Sequence, residues 1–338
     1  PTVLDALGKV KLSTVTPACD LLREELQRKA LQELELVEIN RESLLKNPGN
    51  MAIKELAFGK DFPMRVMAEI VDAPLMPSDE IQRLAKHYVK FGAAIIDVGM
   101  VAGESRPLDA RRAVEAVKGA VSVPVSIDTF DPAEAKAAVS AGADLILSVD
   151  AGNVEERAPF ASDVAVVIIP TNQREGHFPK EVEERVSFLE EIIEKARKMG
   201  ITQILADLVL EPAHVLRSLV AFREFANRNP NVPLFLGASN FTELIDADSV
   251  GVNALLACLS SEVGASILLA TEKSPKAKGT VRELVTASKM MFLAKKRSSV
   301  PKDLGLDLLV LKDKRLREEP YNREIEAETQ VISATENL

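Results

Sequence analysis

Three carboxylates stand where apolar sequence should not tolerate them. Asp97 interrupts Ile95-Ile96-Asp97-Val98, Asp128 ends Val125-Ser126-Ile127-Asp128, and Asp207 lies between Ala206 and Leu208. Desolvating an ionised carboxyl is costly, so each needs a donor, a counter-charge or a ligand. One such residue reads as a structural anchor; three on separate apolar runs favour a site whose chemistry is hydrogen-bond acceptance. Polar residues recur at or just after the ends of the apolar runs: Glu69 and Asp72, Glu104 with Ser105 and Arg106, Ser126, Ser148 and Asp150, Asn172, Glu211, Ser239 and Asn240, and Glu272 with Lys273. After the last run come Lys273, Lys276, Lys278 and Arg282. That cluster reads either as an anion-binding corner, which Arg106 could join, or as a solvated basic loop. His87 and His214 fall in helical stretches; His177 sits in the loop Gln173–Pro179.

The runs that must position these residues are rich in Val, Ile and Leu and nearly continuous in apolar character, as parallel strands covered on both faces are. There are eight: Met64–Ala73, Ala93–Met100, Val123–Phe130, Leu145–Gly152, Asp163–Pro170, Gln203–Leu210, Pro233–Asn240 and Ala265–Glu272. Stretches of helical period separate them. Ser78–Phe91 starts at Ser78 and Asp79 as caps and ends at Gly92; Pro132 opens a helix that ends at Gly142; Glu181–Met199 is the longest, ending at Gly200, and Val281–Arg297 is the last. Eight such units predict an α/β (β/α)8 TIM barrel rather than a doubly wound sheet, with reacting groups at the C-terminal ends of the strands.

The barrel accounts for residues 63–298. Residues 1–62 stand apart as a small N-terminal element or the remnant of a separate domain, with a helical run at Leu21–Leu34, a strand at Leu36–Ile39 and a turn at Asn47-Pro48-Gly49. Residues 299–338 form a C-terminal extension with one strand, Leu306–Leu311, available to pair with the N-terminal element.

Composition closes off other classes. Hydrophobic residues are 46% and charged residues 28% of 338, within the globular range. Aromatics are 4% and the net charge is −9, which argue against a nucleic-acid partner. No long apolar span or leader-like segment occurs, so a cytoplasmic enzyme without a membrane partner is the expectation. Cys19 and Cys258 read as reduced thiols, and a chain that opens on Pro1 reads as processed or trimmed.

The ordered motifs Ile96-Asp97-Val98-Gly99, Gly103-Glu104-Ser105-Arg106-Pro107, Pro124-Val125-Ser126-Ile127-Asp128-Thr129, Ala141-Gly142-Ala143-Asp144-Leu145-Ile146, Ile204–Pro212 and Leu236-Gly237-Ala238-Ser239-Asn240 resemble the pterin-binding superfamily, specifically dihydropteroate synthase of archaeal type. The resemblance spans about residues 64–295. It implies a pterin substrate in the barrel mouth, with Asp128 and Asp207 accepting from its 2-amino, N3–H and ring N–H groups, Asp97 supporting them, Ser126 and Ser148 beside them, and Arg106 bordering a second, anionic substrate. It also implies Mg2+ and a homodimer through the last two helices, where Ala254–Leu259 and Met290-Met291-Phe292 are apolar.

The chain departs from that pattern at groups that handle anions. Val71 stands at the place of the first strand's Mg2+-binding Asn, so that a metal would need Asp72 or Glu69; Leu147, next to Ser148, takes the place of the fourth strand's Asn. Ser239-Asn240-Phe241 replaces Ser-Arg-Lys, and Thr271-Glu272-Lys273 replaces Arg-x-His. Three functions follow from the resemblance. The leading one condenses a hydroxymethyl-dihydropterin diphosphate with an aminobenzene-type acceptor in folate or methanopterin biosynthesis, with Lys273 and Lys276 holding the anion. Ser239-Asn240 also resembles corrinoid methyltransferases that use a methyltetrahydropterin, with Asn240 near N5. The third is a non-catalytic pterin-binding protein.

Overall fold

The computed structural model describes residues 15–310, and those up to Leu308 belong to one compact unit. Helix α1 (Val15–Ile39) leads to an antiparallel hairpin of β1 (Asn50–Ile53) and β2 (Leu56–Gly59). The chain then alternates strands and helices: β3 (Arg65–Ile70), α2 (Ser78–Lys90), β4 (Ile95–Gly99), α3 (Pro107–Ala120), β5 (Val125–Asp128), α4 (Pro132–Ser140), β6 (Leu145–Val149), α5 (Val154–Ala161), β7 (Ala165–Ile168), α6 (Val182–Lys198), β8 (Ile204–Ala206), α7 (Val215–Arg228), β9 (Leu234–Gly237), α8 (Ser249–Val263), β10 (Ala265–Thr271) and α9 (Thr280–Lys296). Strands β3 to β10 are parallel and close into a barrel, β10 pairing with β3.

Strand alternation sorts each run into two faces. Val66, Ala68 and Ile70 of β3, Ile96 and Val98 of β4, and Val125 and Ile127 of β5 pack outward against the helices. Met67, Ile95, Leu145, Leu147, Val167, Leu205, Phe235, Ile267 and Leu269 fill the barrel together with Ile53 and Phe58 of the hairpin. Lys54, at the hairpin's turn, pairs with Asp144 just before β6 at 2.6 Å, so the hairpin closes the barrel at the N-terminal ends of its strands. The opposite end is left for chemistry. Continuing the inward phase of each strand toward that end gives Glu69, Asp97, Asp128 and Asp207.

The ends of the helices follow local rules. Asp131 caps α4, its carboxylate accepting from Ala133 N at 2.6 Å and Glu134 N at 3.0 Å, with Pro132 in the first turn. At α2 the cap position is Pro77 rather than Ser78, and no side chain caps the helix.

Two expected strands are not strands. Leu36–Ile39 is the last stretch of α1: no breaker precedes it, and Val37 packs with Ala57 and Phe62 from a helical position. The described part of Leu306–Leu311, residues 306–310, forms no strand. Leu304 and Leu306 instead lie against Ala30 and Leu34 of α1 and Leu293 and Ala294 of α9; their neighbours are helices, which offer no strand edge. Arg297 and Glu33 join across the same contact at 3.0 Å. Met290, Met291 and Phe292, whose apolar character suits a dimer surface and packing on the barrel equally, pack against core clusters of this chain. No helix among the described residues is long and apolar enough to cross a membrane.

Candidate functional site

Barrel register brings the inward acids together. Thr271 of β10 pairs with Glu69 of β3, Glu69 with Asp97 of β4, and Asp97 with Ser126 of β5. Two residues further along β4, Gly99 pairs with Asp128, and Asp128 with Leu147 of β6. Glu69, Asp97 and Asp128 thereby offer carboxylate oxygens that all lie within 4.8 Å of one another. Gly99 makes this possible, because a Cβ there would stand 2.4 Å from Glu69 Oε1.

Each acid is held differently. Asp97 is fully buried; Ser126 donates its hydroxyl to Oδ1 at 2.5 Å, and Oδ2 has no hydrogen-bond partner among the described residues. Asp128 Oδ1 accepts the Ser148 hydroxyl at 2.5 Å. Ser148 itself adopts φ 57°, and its carbonyl accepts from Asn153 Nδ2 at 3.0 Å. Behind them Arg157, with no exposed surface, donates to Leu147 O at 2.9 Å and to Thr129 O, tying the ends of β5 and β6 together.

Asp207 follows β8 and accepts the Val209 N–H at 2.8 Å. Val209 has φ 62°, which is unfavourable for a β-branched residue and persists only when its surroundings enforce it. Arg185 supplies that enforcement. It too has no exposed surface, donates to Leu208 O at 3.2 Å and Val209 O at 3.4 Å, and pairs with Glu211.

Burial pushes all four acids toward the protonated form. Asp97 is raised well above the ordinary carboxyl range, Glu69 to about 8 and Asp207 to about 7, with the nearby charge of Asp128 adding to each. Asp128 is also raised by burial, against the opposing effects of the Ser148 hydroxyl and Arg157. In their ionised form these acids make a mouth of acceptors short of donors, suited to a heterocycle that presents amino and ring N–H groups on one edge.

The other expected site residues fall in several places. Ser126 is sealed behind Asp97, while Ser148, and not its neighbour Leu147, reaches Asp128. Leu147 belongs to the apolar filling of the barrel. Ser239 is buried, and its hydroxyl oxygen accepts the Thr271 N–H. Asn240, in a single helical turn after β9, folds its amide over Gly237, where a Cβ would stand 2.9 Å from Nδ2, and donates to Leu210 O at 3.4 Å. Lys273 pairs with Asp72 at 2.7 Å, Lys276 with Asp246 at 3.0 Å, and Arg106 with Glu104 through Nε at 2.7 Å. Sequence reasoning gave no role to Arg157, Arg185 or Glu243. The two arginines lie in helices among charged neighbours, where they resemble solvated basic residues, and no pattern marks them as buried.

Of the acids in the mouth, Glu69 and Asp128 are the two that could hold a divalent cation. Asp72 is already taken by Lys273, and the compact set of Glu69, Asp97 and Asp128 includes one carboxylate sealed from solvent. Mg2+ keeps several waters and is usually held by only one or two carboxylates beside substrate phosphates. No step is routed through a metal.

A sequence profile of the family described as pterin binding enzyme matches residues 75–269. An uncharacterized protein of Methanocaldococcus jannaschii is 43% identical over 326 residues, covering 94% of this chain and 61% of its own length. The chain therefore spans about three fifths of that curated relative. Among solved structures, a Yersinia pestis dihydropteroate synthase with a pterin–sulfa conjugate is 20% identical, covers 74% of this chain and 100% of its own, and superposes with a TM-score of 0.58. The Xanthomonas albilineans dihydropteroate synthase in complex with 7,8-dihydropteroate is 22% identical, covering 75% and 100%, with a TM-score of 0.57. At these identities the likeness to solved structures is one of fold.

Proposed function

Because the chain belongs to the pterin-binding enzyme family, we propose that it is a transferase acting on a reduced pterin held at the C-terminal mouth of the barrel. The observation that carries this reading is the convergence of Glu69, Asp97 and Asp128 within 4.8 Å, with the field of Asp128 also felt at Asp207. Asp128 and Asp207 accept from the pterin's 2-amino, N3–H and ring N–H groups. Asp97 backs Asp128, Ser148 orients it, and Arg157 and Arg185 fix the strand ends. Purines lacking that donor pattern leave buried acceptors unpaired and are rejected.

The second substrate is read from the relatives. The Xanthomonas albilineans synthase is also solved with 4-aminobenzoic acid, which supports an aminobenzene-type acceptor here and a place in folate or methanopterin biosynthesis. The work of the protein would then be to hold the amine against the pterin's exocyclic methylene carbon, where the C–N bond forms as the C–O bond to diphosphate breaks. The position of Asn240 over Gly237 favours a second reading, methyl transfer from a methyltetrahydropterin with the amide near N5. Both begin with the same binding step.

Calorimetric titration with 6-hydroxymethyl-7,8-dihydropterin tests that step. Asp128→Asn replaces an acceptor by an amide and should weaken binding by about 2–3 kcal/mol, roughly 30- to 150-fold. Unchanged affinity would contradict the placement of the ring.

A further inference from the structure

We infer that the pterin taken by this site carries no diphosphate, because the corner of the mouth where such a barrel receives phosphate is filled by the chain's own carboxylates. The inference rests on the pterin reading above and favours its methyl-transfer form, because condensation of an amine at the hydroxymethyl carbon needs the diphosphate as leaving group.

In this fold, phosphate is commonly received by the loops after the seventh and eighth strands together with a helix N-terminus, where backbone N–H groups point outward. Here three of those donors are spent. Glu243 Oε1, beyond β9, accepts Lys273 N at 2.9 Å and Ser274 N at 3.3 Å, and its Oε2 also lies 3.3 Å from Ser274 N. Glu272, 6% exposed, accepts the Val281 N–H in the first turn of α9 at 3.0 Å.

Three of the corner's four cations are engaged as well. Lys273 Nζ meets Asp72 Oδ2 at 2.7 Å; Lys276 Nζ meets Asp246 Oδ1 at 3.0 Å and Ile245 O at 2.5 Å; Lys278 Nζ donates to Glu272 O at 2.5 Å. Two of these ammonium groups meet carboxylates, those of Asp72 and Asp246, while the carboxylates of Glu243 and Glu272 are held by backbone N–H groups. A diphosphate placed there would have to displace Glu243 or Glu272 from N–H donors and then lie beside the displaced charge. Like charges at that range are repulsive, and such repulsion is a recognised means of rejecting a competing ligand. A pterin with an uncharged substituent on that side, such as a methyl or hydroxymethyl group, meets no such penalty.

Two titrations separate this inference from the pterin reading. In the first, 6-hydroxymethyl-7,8-dihydropterin and its diphosphate are compared on the full chain. The expected result is that the diphosphate binds no more tightly than the alcohol and that Glu243→Gln improves the diphosphate relative to the alcohol several-fold. A tighter-binding diphosphate, or a ratio unmoved by Glu243→Gln, would overturn the inference. In the second, inorganic pyrophosphate is titrated alone, with and without Mg2+. No saturable binding is expected; binding that disappears in Lys273→Ala overturns the inference whatever the pterins do. If neither pterin binds while pyrophosphate is also ignored, the pterin reading fails and takes the substrate assignment with it.

Discussion

Asp128 is the residue on which the electrostatics of the mouth converge, since its charge raises Glu69, Asp97 and Asp207 alike. The consequence is testable at Asp207, whose proton is held up to about pH 7, chiefly by burial. Below that pH the neutral acid dominates in the free protein; above it the carboxylate, the better acceptor for pterin N–H groups, is present without a proton having to leave. Pterin affinity should therefore fall as pH drops below about 7, approaching tenfold per unit, and Asp207→Asn should flatten that slope. Titrations between pH 5.5 and 8.5 check it, and affinity that rises on acidification would contradict it. The inward acids were legible in the sequence because desolvation makes a carboxylate in an apolar strand conspicuous. The fate of Lys273 was not: its partner, Asp72, is 201 residues away, and a run of lysines reveals charge but not who neutralises it.

At the scale of elements, the site depends on where β4 lacks a side chain. Gly99 gives the Glu69 carboxylate its space, so Gly99→Ala brings a Cβ to 2.4 Å from Oε1 and must push Glu69 away from Asp97 and Asp128. The expected cost is about 1–3 kcal/mol, as for other overpacked interiors, and Glu69→Ala should recover much of it in the double variant. Denaturant midpoints measure both, and a Gly99→Ala protein as stable as the parent would refute the packing described for β3 and β4. The barrel strands were readable as apolar runs and their helices by period and caps. The hairpin was not, because its turn is Lys54-Glu55, with Lys54 at φ 52°, in place of the Asn-Gly or Asp-Gly that would have announced it. The end of α1 was misread for a related reason: Leu36–Ile39 is short and apolar, and a run of that length does not by itself separate helix from strand.

The whole molecule divides its labour by the two ends of one barrel. At the N-terminal end the hairpin seals the interior with Ile53 and Phe58, and at the C-terminal end the same inward positions change from apolar to acidic. Buried Arg157 and Arg185 make that change sustainable by fixing the backbone on which Asp128, Ser148 and Asp207 depend. Fold and family were both within reach of the sequence because strand spacing and motif order are properties of the chain itself; the saturation of the phosphate corner is a property of side chains that meet only in three dimensions. The account's central claim is that the acids of the mouth read the donor edge of a pterin. Crystallography of the protein with 6-hydroxymethyl-7,8-dihydropterin tests it most directly. The account predicts that the edge bearing the 2-amino group lies within hydrogen-bond distance, about 2.7–3.1 Å, of carboxylate oxygens of both Asp128 and Asp207; a pterin that binds away from the mouth, or turns that edge from the acids, would contradict it.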